Sequence, residues 1–143
     1  MNNIYYAKYL YSGQIVLLFL YSAPPVRLKN NYLLGLMADS IYSSLLPALI
    51  AIFLFSGSIN LLEIIWVIVL YSIIMFLRGF RNILIHQITD AENDKKAGQI
   101  SFVLKFGHTT TIKIINIFVI AEILSIAAFI LFLSFEISPW MCM

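Results

Sequence analysis

Apolar residues run along this chain in four long blocks, separated by three polar breaks of unequal character. The blocks cover about Tyr5 to Ser22, Leu33 to Phe55, Ile59 to Leu77 and Ile112 to Phe135. A helix rises about 1.5 Å per residue, so roughly 20 residues cross a hydrocarbon core about 30 Å thick. The first block is just long enough. The pattern predicts an all-α fold: a polytopic transmembrane helix bundle of about four spans, with residues 1–143 forming a single membrane domain.

The breaks carry their own signals. Tyr5, Tyr6, Tyr9, Tyr11 and Tyr21 sit mostly at the ends of the first block, where amphipathic rings favour the membrane interface. Pro24 and Pro25 end it, because proline cannot continue the hydrogen-bond ladder. A short basic loop with Arg27 and Lys29 follows. In the second block Pro47 predicts a kink that neighbouring helices tolerate. Asp39 in that block admits two positions, at the headgroup level or facing a polar cavity. Ser56-Gly57-Ser58 turns the chain without charge, and Glu63 opens the third block. Beyond Leu77 that helix is expected to continue through Arg78, Arg81 and His86. Ile100 to Phe106 form a short apolar segment before Gly107, and Thr109, Thr110 or Thr111 is expected to cap the fourth helix. Glu122, inside that helix, is expected to turn toward a neighbour or a polar cavity. Ser138-Pro139-Trp140 closes the chain at an interface.

Composition sharpens this picture. The chain of 143 residues is 62% hydrophobic and 11% charged, with a mean hydropathy of +0.94; soluble domains run at about 25% charged. A water-soluble core of this size could not hide so much apolar surface, so the lipid bilayer is the expected solvent. The net charge of +2 is distributed and gives no argument for nucleic acid. Cys142, the single cysteine, cannot form an internal disulfide. The N-terminus lacks the basic region and cleavage site of a signal peptide, so the first block is expected to be a retained span. Arg27 and Lys29 fall in one loop and Arg78, Arg81, Lys95, Lys96 and Lys105 in another. With four spans both loops face one side, which the positive-inside rule makes the cytoplasm, with Lys8 a mild exception.

Arg78 to Gly107 is a polar island holding three of the seven acids and five of the nine bases. In a helix, Asp90 and Asp94 stand one turn apart with Cβ atoms about 6 Å apart. His86 continues their stripe and Gln87 lies beside it. Two aligned carboxylates can share Mg²⁺, which keeps several waters and takes phosphate oxygens as further ligands. The island also reads simply as a solvated loop, since an Asp-x-x-x-Asp pair is common by chance. The second cluster is Tyr21-Ser22-Ala23-Pro24-Pro25-Val26-Arg27-Leu28-Lys29. Blandly, it is a helix stop with a basic anchor. Functionally, it fixes two cations on the same side as the Asp pair, and cations facing a carboxylate-bound metal make a diphosphate site.

The two clusters together resemble the UbiA-type family of intramembrane prenyltransferases. Three ordered features carry the resemblance: Tyr-Ser-x-Pro-Pro-x-Arg-x-Lys (Tyr21 to Lys29), Leu34-Gly35, and Asp-x-x-x-Asp-x-x-x-Gly (Asp90, Asp94, Gly98) followed by Lys105-Phe106-Gly107. The resemblance implies a fragment of a nine-helix fold, roughly its fourth to seventh helices. The activity it implies is Mg²⁺-dependent transfer of a prenyl group from a prenyl diphosphate to a lipophilic or aromatic acceptor, as in quinone biosynthesis. By carry-over, Asp90 and Asp94 are the metal ligands and catalytic pair, and Arg27, Lys29 and Tyr21 contact the diphosphate. Gln87, Asn82 and Arg81 are plausible neighbours. His86 is expected at the membrane edge rather than as a ligand, and Glu92 and Asn93 are expected to be solvated. The family's first aspartate-rich motif has no counterpart here. Asn60/Glu63 has a loosely similar spacing but lies on the other side of the membrane. The chain is therefore expected to be a fragment, a truncated product or a degenerate member, with little turnover alone and with the missing helices as partners. The alternative reading is a non-catalytic four-helix membrane subunit or remnant. A CDP-alcohol phosphotransferase is set aside, because its Asp-Gly and Ala-Arg pairs are absent.

Overall fold

A computed structural model of the chain describes residues 3–57, 59, 60, 62 and 64–137, the last two by backbone alone. It is a helical bundle with no strand among the described residues. Helix α1 (Ile4–Ser22) stops at Ala23, ahead of Pro24 and Pro25. A 3₁₀ turn (Leu28–Asn30) leads to α2 (Tyr32–Ser40). Asn31 caps α2, its side-chain oxygen accepting the N–H groups of Leu33 and Leu34 at 3.0 Å each. A π-helical segment (Ile41–Leu45) then joins α2 to α3 (Leu46–Phe55). Helix α4 (Ile65–Lys96), the short α5 (Phe102–Phe106) and α6 (His108–Ile137) complete the chain.

Three helical stretches are long and apolar enough to cross a membrane: Tyr32–Phe55, Ile65–Lys96 and His108–Phe135. Helix α1 has the length, at 19 residues, but its tyrosines, Lys8 and Gln14 make it less apolar than the other three. Little apolar surface is buried. The buried hydrophobic side chains are small in number (Leu36, Ile74, Leu84 and Val103 among them), whereas Phe55 is 89% and Phe135 78% exposed. In water such a surface would be unstable. Against lipid it is expected, and the chain is an integral membrane protein.

Three features differ from the sequence expectation, each for a local reason. The third helix begins at Ile65 rather than Ile59, because Asn60 turns the chain by accepting the Leu62 N–H through its side chain at 3.2 Å. Pro47 does not simply kink its helix. The π segment places a 5-residue step ahead of it, with the Leu46 N–H bonded to the Ile41 carbonyl. This relieves the clash proline would make with a regular turn. No Thr of 109–111 caps α6. That helix already starts at His108, and Thr111, fully buried, donates back to the Gly107 carbonyl at 2.9 Å. The third block does continue past Leu77, as one 32-residue helix. At about 1.5 Å per residue it is roughly 48 Å long, so its Asp90–Lys96 end projects beyond a core of about 30 Å. Ser138-Pro139-Trp140, Cys142 and Glu63 lie outside the described residues.

Packing sets the ends of the bundle. Asn3 is buried and its amide donates to Ser56 Oγ at 2.9 Å and the Ile59 carbonyl at 3.0 Å, tying the start of α1 to the turn after α3. That end is opposite to Asp90, which lies near the far end of α4. Tyr6 meets Phe53, and Gln14 donates to the Tyr42 carbonyl at 2.9 Å, holding α1 on the π segment and α3. Helix α6 lies along α4, with Phe80 and Phe118 stacked at 4.6 Å. Helix α5 folds under Tyr32, whose ring meets Phe102 and Phe106 and is covered by the Lys105 ammonium at 3.6 Å.

Gly79 is where α4 passes the π segment. A Cβ there would lie 2.9 Å from the Cβ and Oγ of Ser44 and 3.0 Å from the Ser40 Cα. Small residues allow such backbone approach between membrane helices. Gly79→Ala is expected to destabilise the folded protein by about 1–3 kcal/mol, as overpacked cores do. Gly13→Ala, with nothing within 4 Å of its Cβ, is the control with no comparable loss. Equilibrium unfolding in mixed micelles measures both.

Candidate functional site

The two clusters singled out in the sequence meet at one end of the bundle. A cavity of about 150 Å³ is lined by Tyr21 from the end of α1, Lys29 from the 3₁₀ turn, and His86, Gln87, Asp90 and Asp94 from α4. Gln99, Ile100 and Ser101 close it from the segment after α4, and Ile83 forms its floor. Residues more than sixty positions apart thus converge. The volume is below the roughly 300 Å³ of a drug-sized pocket and suits a compact polar group.

Each wall has a structural cause. Lys29 is held by the 3₁₀ turn, which packs on α2 at Gly35. A Cβ at Gly35 would lie 3.3 Å from the Leu28 carbonyl oxygen and the Lys29 Cα. This gives Leu34-Gly35 a role: it lets the basic turn sit against the helix. Arg27, ahead of the turn, has φ of 38°, a left-handed conformation that costs a non-glycine residue about 1–2 kcal/mol. Its side chain does not line the Asp90/Asp94 cavity. It lines a neighbouring one of about 270 Å³ with Asn30, Ala97 and Gly98. The two cavities share Gln99 and Ile100 as a common wall.

On α4 the 86/90/94 stripe does face the cavity. Asp94 is half-buried and Asp90 exposed, while Glu92 and Asn93 are exposed and off the cavity. Neither aspartate forms an ion pair among the described residues. Among the described residues no group of three or more His, Cys, Asp or Glu side chains is placed to hold a metal. Two carboxylates remain, which suffices for Mg²⁺ only where phosphate oxygens and waters supply the rest.

Gly98 ends α4. With φ of 65° it donates to the Lys95 carbonyl at 3.3 Å while Gln99 donates to the Asp94 carbonyl at 2.9 Å, the pattern of a Schellman cap. The cap folds the chain back, so that Gln99 to Ser101 roof the cavity. Gln87 then fixes the roof by accepting the Phe102 N–H at 2.9 Å. Gly98 of the Asp-x-x-x-Asp-x-x-x-Gly pattern is therefore a backbone requirement. Gly98→Ala finds open space for its Cβ but is strained in φ. It is expected to cost about 1 kcal/mol, read as a lowered unfolding midpoint.

Beside the cavity, Asp39 is half-buried. Its carboxylate accepts from the Tyr42 hydroxyl at 2.7 Å and the Ser43 hydroxyl at 3.4 Å. The Tyr42 ring stands 5.2 Å from that of Tyr21. Both Asp39 and Asp94 lie within electrostatic reach of the Tyr21 hydroxyl. Of the two positions open to Asp39, the structure shows it held by protein hydroxyls next to the site.

Two expected neighbours are elsewhere. Asn82 is exposed and off the cavity. Arg81, with Arg78, points to α6. Arg78 Nε and Arg81 Nε each donate to one oxygen of Glu122 at 2.9 Å. Glu122, buried, therefore turns to a neighbouring helix, and two of the island's basic residues serve the α4–α6 contact. Sequence reasoning missed the contributions of Gln99, Ser101 and Gly79. Only the glycine carried a signal, a small residue inside an apolar helix. Among known proteins, no family model, no curated protein and no solved structure matches this chain.

Proposed function

We propose that this chain carries a diphosphate-binding site of a membrane prenyltransferase, of the UbiA type that its motifs resemble. The observation that supports the reading most is the convergence of Tyr21, Lys29, Asp90 and Asp94 on one small polar cavity at the end of an apolar bundle. Nothing in helix packing requires two unpaired carboxylates and a lysine to meet there. A diphosphate gives them a reason: Lys29 takes phosphate oxygens as a point charge, and the Tyr21 hydroxyl donates to another. Asp90 and Asp94 repel a bare diphosphate, and would hold a Mg²⁺ that offsets this repulsion. When bound, the Mg²⁺ would supply charge neutralisation of the leaving diphosphate. Arg27, in the adjoining cavity, adds a second cation at the rim. A prenyl chain attached to a diphosphate here would run down from the polar end along the apolar helices.

The reaction is transfer of the prenyl group from its diphosphate to a lipophilic or aromatic acceptor. The C–O bond to the diphosphate breaks with its electron pair leaving on oxygen. An electron-rich carbon of the acceptor forms the new bond and then loses its proton to water or to the released diphosphate. The chain's part is to stabilise the departing negative charge and keep water away. A second acidic cluster, supplied by a partner, would complete the charge balance. The polar end faces the cytoplasm, in keeping with Arg27, Lys29, Lys95 and Lys96.

A non-catalytic subunit is the second reading, favoured by the large apolar surface left exposed, including Phe55 and Phe135. A photoreactive prenyl diphosphate distinguishes the two. The transferase reading expects Mg²⁺-dependent labelling that inorganic pyrophosphate prevents. Labelling that ignores both Mg²⁺ and pyrophosphate supports the subunit reading.

A further inference from the structure

Ser101 stands at the N-cap of α5 and is only 5% exposed. A serine there ordinarily turns its oxygen to an N–H of the first helical turn. This one does not: it makes no side-chain cap bond. The N–H of the next residue, Phe102, is accepted by Gln87. The Ser101 hydroxyl is shut off from solvent and has no hydrogen-bond partner among the described residues, the one buried side-chain polar atom so placed there. Burying a hydroxyl without a partner costs stability. The residue nevertheless lines the same cavity as Lys29, Asp90 and Asp94. A hydroxyl offers a proton and two lone pairs, and a turn about χ1 redirects both.

We infer that Ser101 is a binding residue of this cavity, its hydroxyl rotating inward to donate a hydrogen bond to a phosphate oxygen of the bound diphosphate. The inference rests on the diphosphate reading and adds to it a group that no charge pattern reveals.

The test is a titration of the full chain in phosphatidylcholine nanodiscs with inorganic pyrophosphate and Mg²⁺, paired with thermal unfolding of the ligand-free protein. Ser101→Ala is expected to weaken pyrophosphate binding about tenfold, as loss of a hydrogen bond to a charged acceptor does. It should leave the melting temperature unchanged or raised, because an unpaired buried hydroxyl is removed. Ser101→Cys, close in volume but a weak donor, should behave like Ser101→Ala, and Ser101→Thr should retain affinity. Unchanged affinity in Ser101→Ala and Ser101→Cys overturns the assignment. So does a lowered melting temperature without loss of binding, which marks the hydroxyl as part of the fold. If the wild-type chain binds no pyrophosphate, the diphosphate reading falls and this inference falls with it. Doping the nanodiscs with phosphatidic acid separates the phosphate sources. Competition by that lipid that disappears in Ser101→Ala assigns the hydroxyl to a lipid headgroup and overturns the diphosphate assignment.

Discussion

Replacing Glu122 by Gln is expected to destabilise the bundle by about 3 kcal/mol or more, a larger effect than any other single substitution considered for this fold. Glu122 lies roughly 15 Å along α6 from Ile112 and roughly 20 Å from Phe135, at about 1.5 Å per residue. That is well inside the apolar part of the helix. Its two oxygens are shared between Arg78 and Arg81. Glutamine removes the charge and one of the two acceptors, and leaves two guanidinium groups side by side without a counter-charge. Removing one partner of a buried charge cluster typically costs about 3–5 kcal/mol. Arg78 retains an exposed side chain, which places the expectation at the lower end. The distinguishing measurement is a rescue. Converting all three residues to leucine should recover most of the stability, since apolar packing commonly replaces a buried ion cluster at little loss. Equal instability of the triple variant and Glu122→Gln would contradict the cluster's electrostatic role.

The second large effect concerns binding. Asp90→Asn and Asp94→Asn are each expected to weaken Mg²⁺-dependent pyrophosphate binding on the order of 100-fold, because losing one partner of a charged contact costs about 2–5 kcal/mol. Asp90 is the more exposed of the two, so its loss should be the smaller. Neither residue forms an ion pair within the described fold. Each variant should therefore match the wild type in unfolding free energy to within about 0.5 kcal/mol. A stability loss without a binding loss would make the pair structural.

The helical bundle was legible in the sequence because a bilayer imposes a simple rule: long apolar blocks must be helices with all backbone groups satisfied internally. The continuation of α4 through Arg78 to Lys96 could be expected from the same stripe that aligns Asp90 with Asp94. Helix ends were less legible. Asn31, Asn60 and Gly98 set three of them through particular side-chain or backbone bonds, and such bonds depend on local geometry rather than on hydropathy. The π segment before Pro47 illustrates the same limit, since a proline announces that the ladder must adjust but not how. At the candidate site, the motif pattern pointed to Tyr21, Lys29, Asp90 and Asp94, which line one cavity. It misassigned Arg81, because a cation's partner, Glu122, lay forty-one positions away on another helix. It separated Arg27 too little from Lys29, because the left-handed Arg27 and Lys29 of the following 3₁₀ turn line different cavities. Ser101 could not be found at all, since nothing in composition marks a hydroxyl that folding leaves unpaired.

The most direct test of the account is calorimetric titration of the full chain in nanodiscs with inorganic pyrophosphate, with and without Mg²⁺, alongside the Asp90→Asn/Asp94→Asn double variant. The account predicts saturable binding that requires Mg²⁺ and vanishes in the double variant while its unfolding free energy is unchanged. Binding that persists in the double variant or without Mg²⁺, or no binding by the wild type, would contradict it.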